Sequence, residues 1–206
     1  MGDAGWIGVC RGIQAGKNDK MIDLKGDITI GDIRLLNFLN LNDEEKELVR
    51  NWRNHNGVRR WMYSDHIISR EEHSMFIDGL KKDNKNFYWL AKNKDEKYMG
   101  VIYLNKVDFD NKNAYLGIYS EQTSRLSGSG KLLIECLGKL SFDILDLHSL
   151  KLEVIENNDR AIRFYEKSGF SEEGRLREFV FKDGKWCDVI VMGIIKRNVG
   201  QTWKSE

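Results

Sequence analysis

A glycine turn that opens an apolar helix is the feature of this sequence that most constrains its fold. The turn is Arg125-Leu126-Ser127-Gly128-Ser129-Gly130, and the missing side chains of Gly128 and Gly130 let backbone N–H groups approach an anion. The helix that follows adds the positive end of its dipole, so a pyrophosphate fits there. An ordinary glycine-rich turn before a helix explains the hexapeptide equally well.

The helix behind the turn carries an apolar stripe at helical spacing, formed by Leu133, Leu137, Leu140 and Ile144. This stripe predicts that the segment from Lys131 to about Leu145 packs onto a sheet. A dinucleotide-binding fingerprint begins with the same Gly-x-Gly but requires a third glycine at the position of Leu133. A nicotinamide-binding Rossmann domain is therefore disfavoured.

A second motif, residues 158–170, reads Asn-Asp-Arg-Ala-Ile-Arg-Phe-Tyr-Glu-Lys-Ser-Gly-Phe and predicts another helix. Asn158 can cap the N-terminus of that helix, and Gly169 can take the left-handed conformation at its C-terminus. Asn158, Ala161 and Tyr165 are spaced by three and four residues, so they share one face. The small side chain of Ala161 leaves room on that face.

Together the two motifs, Arg-x-x-Gly-x-Gly and then Asn-x-x-Ala-Ile-x-Phe-Tyr-Glu-Lys-x-Gly-Phe, resemble those of the GNAT superfamily of N-acetyltransferases. The resemblance spans about Ile33 to Lys196. It implies an α/β (α+β) fold with a mixed, mostly antiparallel central sheet and helices on both faces. It also implies acetyl-CoA as co-substrate and no metal.

The same resemblance assigns residues to the acetyl-CoA site. The backbone of Gly128, Ser129 and Gly130 would hold the pyrophosphate, with Asn158 and Phe164 beside the pantetheine arm. The full set of cofactor-binding residues that it implies is Ile118, Tyr119, Arg125, Gly128, Ser129, Gly130, Asn158 and Phe164.

Tyr165 matches the tyrosine that, in many family members, hydrogen-bonds the thioester sulfur and donates a proton to the departing thiolate. A phenol with a pKa near about 10 and an alkyl thiol near about 8.5 differ little, so this transfer is not steeply uphill. A helix tyrosine buried for packing is the alternative.

The resemblance implies direct attack of an amine on the thioester in a ternary complex. Backbone N–H groups after Tyr119 would stabilise the oxyanion. Glu153, on the strand before the motif helix, is the candidate base that removes the proton from the amine. A structural salt bridge explains Glu153 equally well.

Three further runs resemble one GNAT subfamily, the acetyltransferases of pseudaminic acid biosynthesis: Trp52-Arg53-Asn54-His55, Trp61-Met62-Tyr63-Ser64 and His73-Ser74-Met75-Phe76-Ile77. That subfamily acetylates the 4-amino group of a UDP-linked 4-amino-4,6-dideoxy sugar, which implies a role in modifying flagellin or another surface glycan. The implied acceptor-binding residues are Arg53, Met62, Tyr63, His73, Lys106 and Tyr119.

Each acceptor residue has a physical role in that interpretation. Arg53 and His73 would supply donors to the diphosphate, and Met62 and Tyr63 would pack on the sugar methyl group or the uracil. Core packing also explains the apolar members of these runs.

Other functions compete with the nucleotide-sugar enzyme. An acetyltransferase of protein N-termini shares the Trp-Arg-Asn-like start but needs an open groove for a peptide. A non-catalytic acetyl-CoA-binding module would not need a thiol protonator such as Tyr165. The Rossmann-type domain lacks the glycine that its fingerprint requires.

Charge and cysteine content indicate which partners and which kinds of site the chain can have. The chain has 33 Lys and Arg against 32 Asp and Glu, a net charge of +1 with the signs interspersed, which argues against nucleic acid as a partner. Cys10, Cys136 and Cys187 lie far apart, so neither a disulfide framework nor a metal cluster is implied. No apolar run approaches about 18 residues, so we expect a soluble, cytoplasmic protein without a membrane partner. The oligomeric state stays open, and a homodimer is one option.

The 206 residues suit one domain. We expect a mobile N-terminal extension at 1–30, the acetyltransferase domain at 31–197 and a polar tail at 198–206. Alternating patterns and capping signals predict the elements. The predicted helices are Asp43–Asn54, Arg70–Lys82 with a Ser69/Glu72 capping box, Lys131–Leu145 and the motif helix to Ser168. The predicted strands are Asp32–Leu39, Phe87–Lys92, Tyr98–Val107, Ala114–Tyr119, Lys151–Ile155, and Glu173–Phe181 joined to Lys185–Ile195 by an Asp-Gly hairpin.

Overall fold

The computed structural model of the chain describes residues 22–120 and 128–196. Alternating apolar residues form the strands, and capped amphipathic segments form the helices. The strands are β1 (Ile28–Ile30), β2 (Ile33–Asn37), β3 (Phe87–Lys92), β4 (Tyr98–Asp108), β5 (Asn113–Tyr119), β6 (Ser149–Ile155), β7 (Ser171–Lys182) and β8 (Lys185–Ile195). The helices are α1 (Asp43–Asn54), α2 (Asn56–Arg59), α3 (Arg70–Leu80), α4 (Ser129–Gly138) and α5 (Asp159–Lys167).

The eight strands form one mixed sheet in the order β1-β2-β3-β4-β5-β6-β8-β7. The pairs are antiparallel except that β5 and β6 run parallel. The register of this parallel pair covers Asn113–Tyr115 against Ser149–Lys151 and does not extend into the second halves of the two strands. The sheet is therefore split along the C-terminal ends of β5 and β6.

Both faces of the sheet are covered, because neighbouring strand residues point to opposite faces. Val101 packs with α1 and α3, whereas Ile102 packs with α4 and α5. The same alternation holds for Trp89 and Leu90 on β3. The expected mixed, mostly antiparallel sheet with helices on both faces is confirmed.

Local signals in the sequence explain where the helices begin. The Ser69/Glu72 capping box of α3 is confirmed, and Asn42 forms the same arrangement with Glu45 at the start of α1. In the hairpin between β7 and β8, Asp183 and Gly184 both adopt positive φ angles, 50° and 76°, as a type I′ turn requires. These short-range predictions hold because each is decided within four residues.

Many predicted boundaries differ from the structure by one or two residues; β2, for example, was predicted as Asp32–Leu39. β1 was not predicted: residues 28–30 pair with β2, and Leu24 and Ile28 are buried. α4 ends at Gly138 and continues as a π-helix over Lys139–Ile144, in which three consecutive residues are buried. α3 ends at Leu80, two residues early. The rest of the expected extension, residues 1–21, and the polar tail lie outside the described residues.

Close packing between α4 and the sheet depends on Gly100 in β4. A Cβ at Gly100 would lie 2.8 Å from the carbonyl oxygen of Tyr119 and 2.9 Å from Cδ1 of Leu133. Both distances are shorter than van der Waals contact allows, so only glycine lets α4 and the end of β5 approach β4 this closely. This packing also fixes the position of Tyr119.

Replacing Gly100 by Ala should lower the free energy of unfolding by about 1–3 kcal/mol, because overpacking forces backbone or side-chain shifts. Gly79 in α3 provides the matched control, since a Cβ there meets nothing within 4 Å. Gly79→Ala should raise the free energy of unfolding by about 0.5–1 kcal/mol. Urea denaturation of both variants measures the difference, and equal stability of the two would show that the Gly100 contact is not restrictive.

Candidate active site

The split between β5 and β6 opens into a cavity of about 330 Å³. Ligands of open α/β sheets bind where strands diverge at their carboxyl ends, and this cavity lies at such a place. Its walls come from the end of β5, the start of α4, and α5. The remaining wall is the α2 segment, by which we mean α2 and the residues that follow it up to Met62. The lining residues are Gly57, Val58, Trp61, Met62, Ile118, Tyr119, Ser120, Gly130, Asn158, Arg160, Ala161, Phe164 and Tyr165.

This cavity brings together most residues that the sequence assigned to the cofactor. Ile118, Tyr119, Gly130, Asn158 and Phe164 line it. The proposed proton donor, Tyr165, shares the same wall. Gly128 and Ser129 lie at the start of α4, and Arg125 lies outside the described residues.

The start of α4 fits a phosphate group. Gly128 is the N-cap residue with φ +83°, and no side chain caps the helix there. A Cβ at Gly130 would touch the Phe164 ring at 3.4 Å, so the backbone passes close to the cavity wall. The first N–H groups of a helix need acceptors, and an anion can provide them.

The capping predictions for α5 are confirmed. Asn158 is the N-cap residue, and its Oδ1 accepts a hydrogen bond from the backbone N–H of Ala161 at 3.2 Å. Gly169 follows the helix with φ +89°, in the left-handed region. These two caps fix the helix length and thereby the direction of the Tyr165 side chain.

Tyr165 is buried between the rings of Phe164 and Phe170, whose centroids lie 5.2 and 5.7 Å away. Burial raises the pKa of Tyr165 to about 12. The phenol is therefore neutral throughout the physiological range, so it can donate a proton or a hydrogen bond. Below pH 10 its O–H is always present.

The raised pKa makes Tyr165 a weaker acid, relative to the leaving thiol, than the sequence suggested. Against a thiol in water, a phenol at about 12 is a weaker acid by roughly 3.5 units, or about 5 kcal/mol. Burial acts on thiols in the same direction: it raises the pKa of Cys136, in the adjoining core, to about 12. A thiolate released inside the cavity would thus be nearly matched in basicity to Tyr165.

A second cavity, of about 250 Å³, adjoins the first and shares Met62 and Tyr119 with it. Its walls are mainly aromatic and come from the turn after β2, from α1 and α3, and from strands β3 to β5. The lining residues are Phe38, Arg53, Met62, Ile68, His73, Phe76, Tyr88, Tyr103 and Tyr119. Four acceptor residues expected from the sequence, Arg53, Met62, His73 and Tyr119, meet here.

Arg53 is the polar feature of this second cavity. Its Nη1 is buried and has no hydrogen-bond partner among the described residues, while Nη2 donates only over long distances, 3.4 and 3.5 Å, to the carbonyl oxygen and the hydroxyl of Ser64. Burial lowers the pKa of Arg53, but a guanidinium stays charged in proteins. A buried, unpaired donor on a cation calls for an acceptor from a ligand.

His73 lies in the same cavity but is not a cation. It is 7% exposed, and its pKa is lowered, first by burial and then by the charge of Arg50. The imidazole is therefore neutral near pH 7 and offers one N–H donor.

The structure joins two residues that the sequence placed in separate roles. The Tyr63 hydroxyl donates a hydrogen bond to the Glu153 carboxylate at 2.5 Å, although the residues are 90 positions apart. Tyr63 also packs edge-on against Phe179 of β7, 5.9 Å away. No ion pair to Glu153 is found within residues 22–120 and 128–196, so the structural salt bridge considered for it is not seen there.

Lys106 lies apart from the second cavity. It sits in the irregular part of β4 with φ +52°, and its ammonium lies 4.6 Å above the Tyr115 ring. Neither cavity is lined by Lys106, Tyr63 or Glu153. Of the expected acceptor residues, Tyr63 and Lys106 are therefore the two that line neither cavity.

Sequence reasoning missed the aromatic wall and its support. Tyr88 and Tyr103 are cross-strand partners on β3 and β4 and stack with centroids 5.0 Å apart. A Cβ at Gly117 of β5 would lie 1.9 Å from Cζ of Tyr103, so Gly117 creates the space for that ring. Alternating tyrosines on predicted strands were a visible signal, but the register that unites them was not.

Metal-ligand clusters, disulfide bridges and membrane-spanning helices are not found among the described residues. Across the described ranges, no group of three or more His, Cys, Asp or Glu side chains is arranged to hold a metal ion. Cys136 and Cys187 are both buried and unbridged. None of the helices in the same ranges is long and apolar enough to cross a membrane.

Comparison with known proteins agrees with this geometry. The family profile described as "Acetyltransferase (GNAT) domain" matches residues 37–191. The acetyltransferase PseH of Campylobacter jejuni is 33% identical over 149 residues, which cover 72% of this chain and 91% of PseH. The spermidine N(1)-acetyltransferase of Vibrio cholerae is 26% identical over 148 residues, covering 72% of this chain and 86% of that enzyme.

A solved structure shows the same fold. The crystal structure of spermidine N-acetyltransferase from Vibrio cholerae in complex with CoA and spermine superposes with a TM-score of 0.74. The alignment covers 82% of this chain and 99% of that chain at 24% identity. The relatives therefore include an enzyme named for the acetylation of spermidine.

Proposed function

The chain belongs to the GNAT family of acetyl-CoA-dependent acetyltransferases, and on that premise we propose that its acceptor is the 4-amino group of a UDP-linked 4-amino-4,6-dideoxy sugar. The product would enter pseudaminic acid biosynthesis and, through it, a flagellin or other surface glycan. The similarity to PseH supports this acceptor, and the similarity to spermidine acetyltransferases supports a polyamine. The two acceptors carry opposite charge.

The charge of the acceptor cavity is the observation that carries the proposal. Arg53 is its one lining residue that is permanently charged, and it holds a buried donor without a partner among the described residues. A polyamine needs carboxylates, and none of the residues lining this cavity is acidic. A nucleotide sugar instead brings acceptor oxygens and negative charge. The cavity therefore favours the sugar.

The shape of the cavity supports the same acceptor. Sugars present apolar C–H faces that pack against aromatic rings, and Tyr88, Tyr103 and Phe76 provide such rings. The cavity joins the cofactor cavity at Met62 and Tyr119, so an amine held there faces Tyr165. This junction allows direct transfer without an acetylated enzyme side chain.

The residues of the junction have distinct roles in the proposed reaction. The amine attacks the thioester carbonyl, the C–S bond breaks, and Tyr165 gives its proton or hydrogen bond to the departing sulfur. The N–H groups at the end of β5 stabilise the oxyanion. Glu153, oriented by Tyr63, accepts the proton that the amine loses, through water if needed.

The acceptor assignment is tested by thiol release with a panel of UDP-4-amino sugars, spermidine and N-terminal peptides. We expect turnover of the nucleotide sugars at least about 100-fold faster than of the others. Arg53→Met should raise the acceptor KM by about 10- to 100-fold and leave the KM for acetyl-CoA unchanged, because one charged hydrogen bond is lost. Arg34→Met, on β2 outside both cavities, is the matched control. Preferential turnover of spermidine or peptides would overturn the sugar assignment.

The role of Tyr165 is tested by Tyr165→Phe, which keeps the ring and removes the hydroxyl. We expect kcat to fall by about 10²-fold or more at saturating acetyl-CoA. The wild-type pH profile should show no fall attributable to Tyr165 up to about pH 10, because its pKa lies near 12. Tyr98→Phe, whose hydroxyl bonds Glu45 away from both cavities, serves as control. A Tyr165→Phe turnover within about twofold of wild type would leave this tyrosine as a packing residue.

The role of Glu153 is tested by Glu153→Gln and Tyr63→Phe. Glu153→Gln should reduce kcat by about 10²-fold, since it removes the base. Tyr63→Phe should reduce kcat by less, about tenfold, because the carboxylate remains but loses its orienting hydrogen bond. Glu173→Gln, which removes a neighbouring carboxylate paired with Lys151, should have little effect. An unchanged rate and pH profile in Glu153→Gln would require another base.

A further inference from the structure

A third cavity, of about 430 Å³, lies on the other side of Trp61 from the cofactor cavity. It is enclosed by the α2 segment, the end of β6 and the β7–β8 hairpin. Its lining residues are Asn56, Arg59, Arg60, Trp61, Asp65, Ile155, Asn157, Lys182, Asp183, Lys185 and Cys187. No residue assigned to a site by the sequence lies in it.

The cavity carries uncompensated positive charge. Four cations line it against two carboxylates, Asp65 and Asp183. Throughout the part of the chain that the structure describes, none of the four cations is within 4.0 Å of a carboxylate oxygen, whereas ion pairs are common elsewhere on the surface. These cations are Arg59, Arg60, Lys182 and Lys185. Concentrated charge of one sign in a concave surface attracts a counter-ion.

Arg59 offers a donor that no described residue uses. Its Nη1 donates to the backbone oxygen of Asp65 at 2.7 Å, which holds the guanidinium in place. Its Nε is buried and has no partner within the described residues. The charge of Arg59 also reaches the acceptor cavity, because after burial it contributes to the lowered pKa of Arg53.

Lys182 builds the floor of the cavity. This lysine is only 8% exposed, and its ammonium donates to the backbone oxygens of Met62, at 2.6 Å, and Arg59, at 3.5 Å. A buried ammonium bonded to carbonyl groups keeps its charge without neutralising it. It also ties the hairpin to the segment that separates the three cavities.

We infer that this third cavity is an anion subsite for the diphosphate of the acceptor, an inference that rests on the proposed function. Arg60, whose guanidinium lies 4.6 Å over the Trp61 ring, and Lys185 on the hairpin are the exposed cations that contact the phosphates. Trp61 separates the phosphates from the cofactor cavity, and the sugar extends past Met62 to the site of transfer. Arg53 then meets oxygens of the sugar, and not the diphosphate to which the sequence assigned it. Lys106, the lysine proposed from the sequence, is not part of this subsite.

Isothermal titration of UDP into protein saturated with coenzyme A tests the subsite with the cofactor site already filled. We expect the double variant Arg60→Gln, Lys185→Gln to bind UDP at least about tenfold more weakly than wild type. The control Lys82→Gln, Lys97→Gln removes the same charge from exposed positions elsewhere and should bind normally. Uridine, which lacks the phosphates, should bind wild type and double variant equally. Equal UDP affinity of the double variant and wild type would overturn the subsite.

Two further outcomes separate this inference from the proposed function. If UDP binds only when coenzyme A is absent, the cavity holds part of the cofactor and the inference is wrong. If wild type acetylates a UDP-4-amino sugar and the double variant has the same acceptor KM, the subsite fails while the proposed acceptor stands. If no nucleotide sugar is acetylated but the double variant loses UDP binding, the anion subsite stands and the proposed acceptor fails.

Discussion

The separation of β5 from β6 is the structural constraint on which the site depends. The two strands pair in parallel over three residues each and then diverge, which leaves an opening within a sheet covered by helices on both faces. The walls of the cofactor cavity follow from this geometry. α4 begins where β5 ends, α5 begins where β6 ends, and the α2 segment covers the opening from the opposite face. Gly100 makes the arrangement possible because it lets α4 and the end of β5 lie close to β4.

Under the proposed function, the segment from α2 to Met62 bears on which acceptor the opening takes. Trp61 and Met62 stand between three cavities, and the cations that line these cavities nearby, Arg53, Arg59 and Arg60, have no carboxylate partner within the described residues. An isolated buried charge is destabilising unless something compensates it, so a fold that keeps Arg53 and Arg59 with unused donors does so at the expense of stability. A ligand that supplies acceptors removes this penalty when it binds. Under the proposed function, the same residues would repel a polyamine.

Much of the fold was predictable because its signals are local. Capping residues such as Ser69 and Asn158, the Asp-Gly hairpin and the apolar stripe of α4 each act within a few residues, and the structure confirms them. The acceptor site was less predictable because it is assembled from distant segments. Tyr63 reaches Glu153 across 90 positions. Likewise, α2 and β1 are too short to produce a periodic pattern, and no sequence signal marked the cavity that Arg59 and Lys185 line.

Burial also links the fold to the chemistry of the leaving group. In water a phenol is a poor acid for a thiolate once its own pKa has risen, which would argue against Tyr165 as a proton donor. The cavity that raises the pKa of Tyr165 must act on the departing sulfur as well, because both groups lose a charged form that water would stabilise. Under the proposed function, the match between donor and leaving group therefore depends on keeping water out, which gives Trp61 and Met62, in the wall of the opening, a role in excluding water.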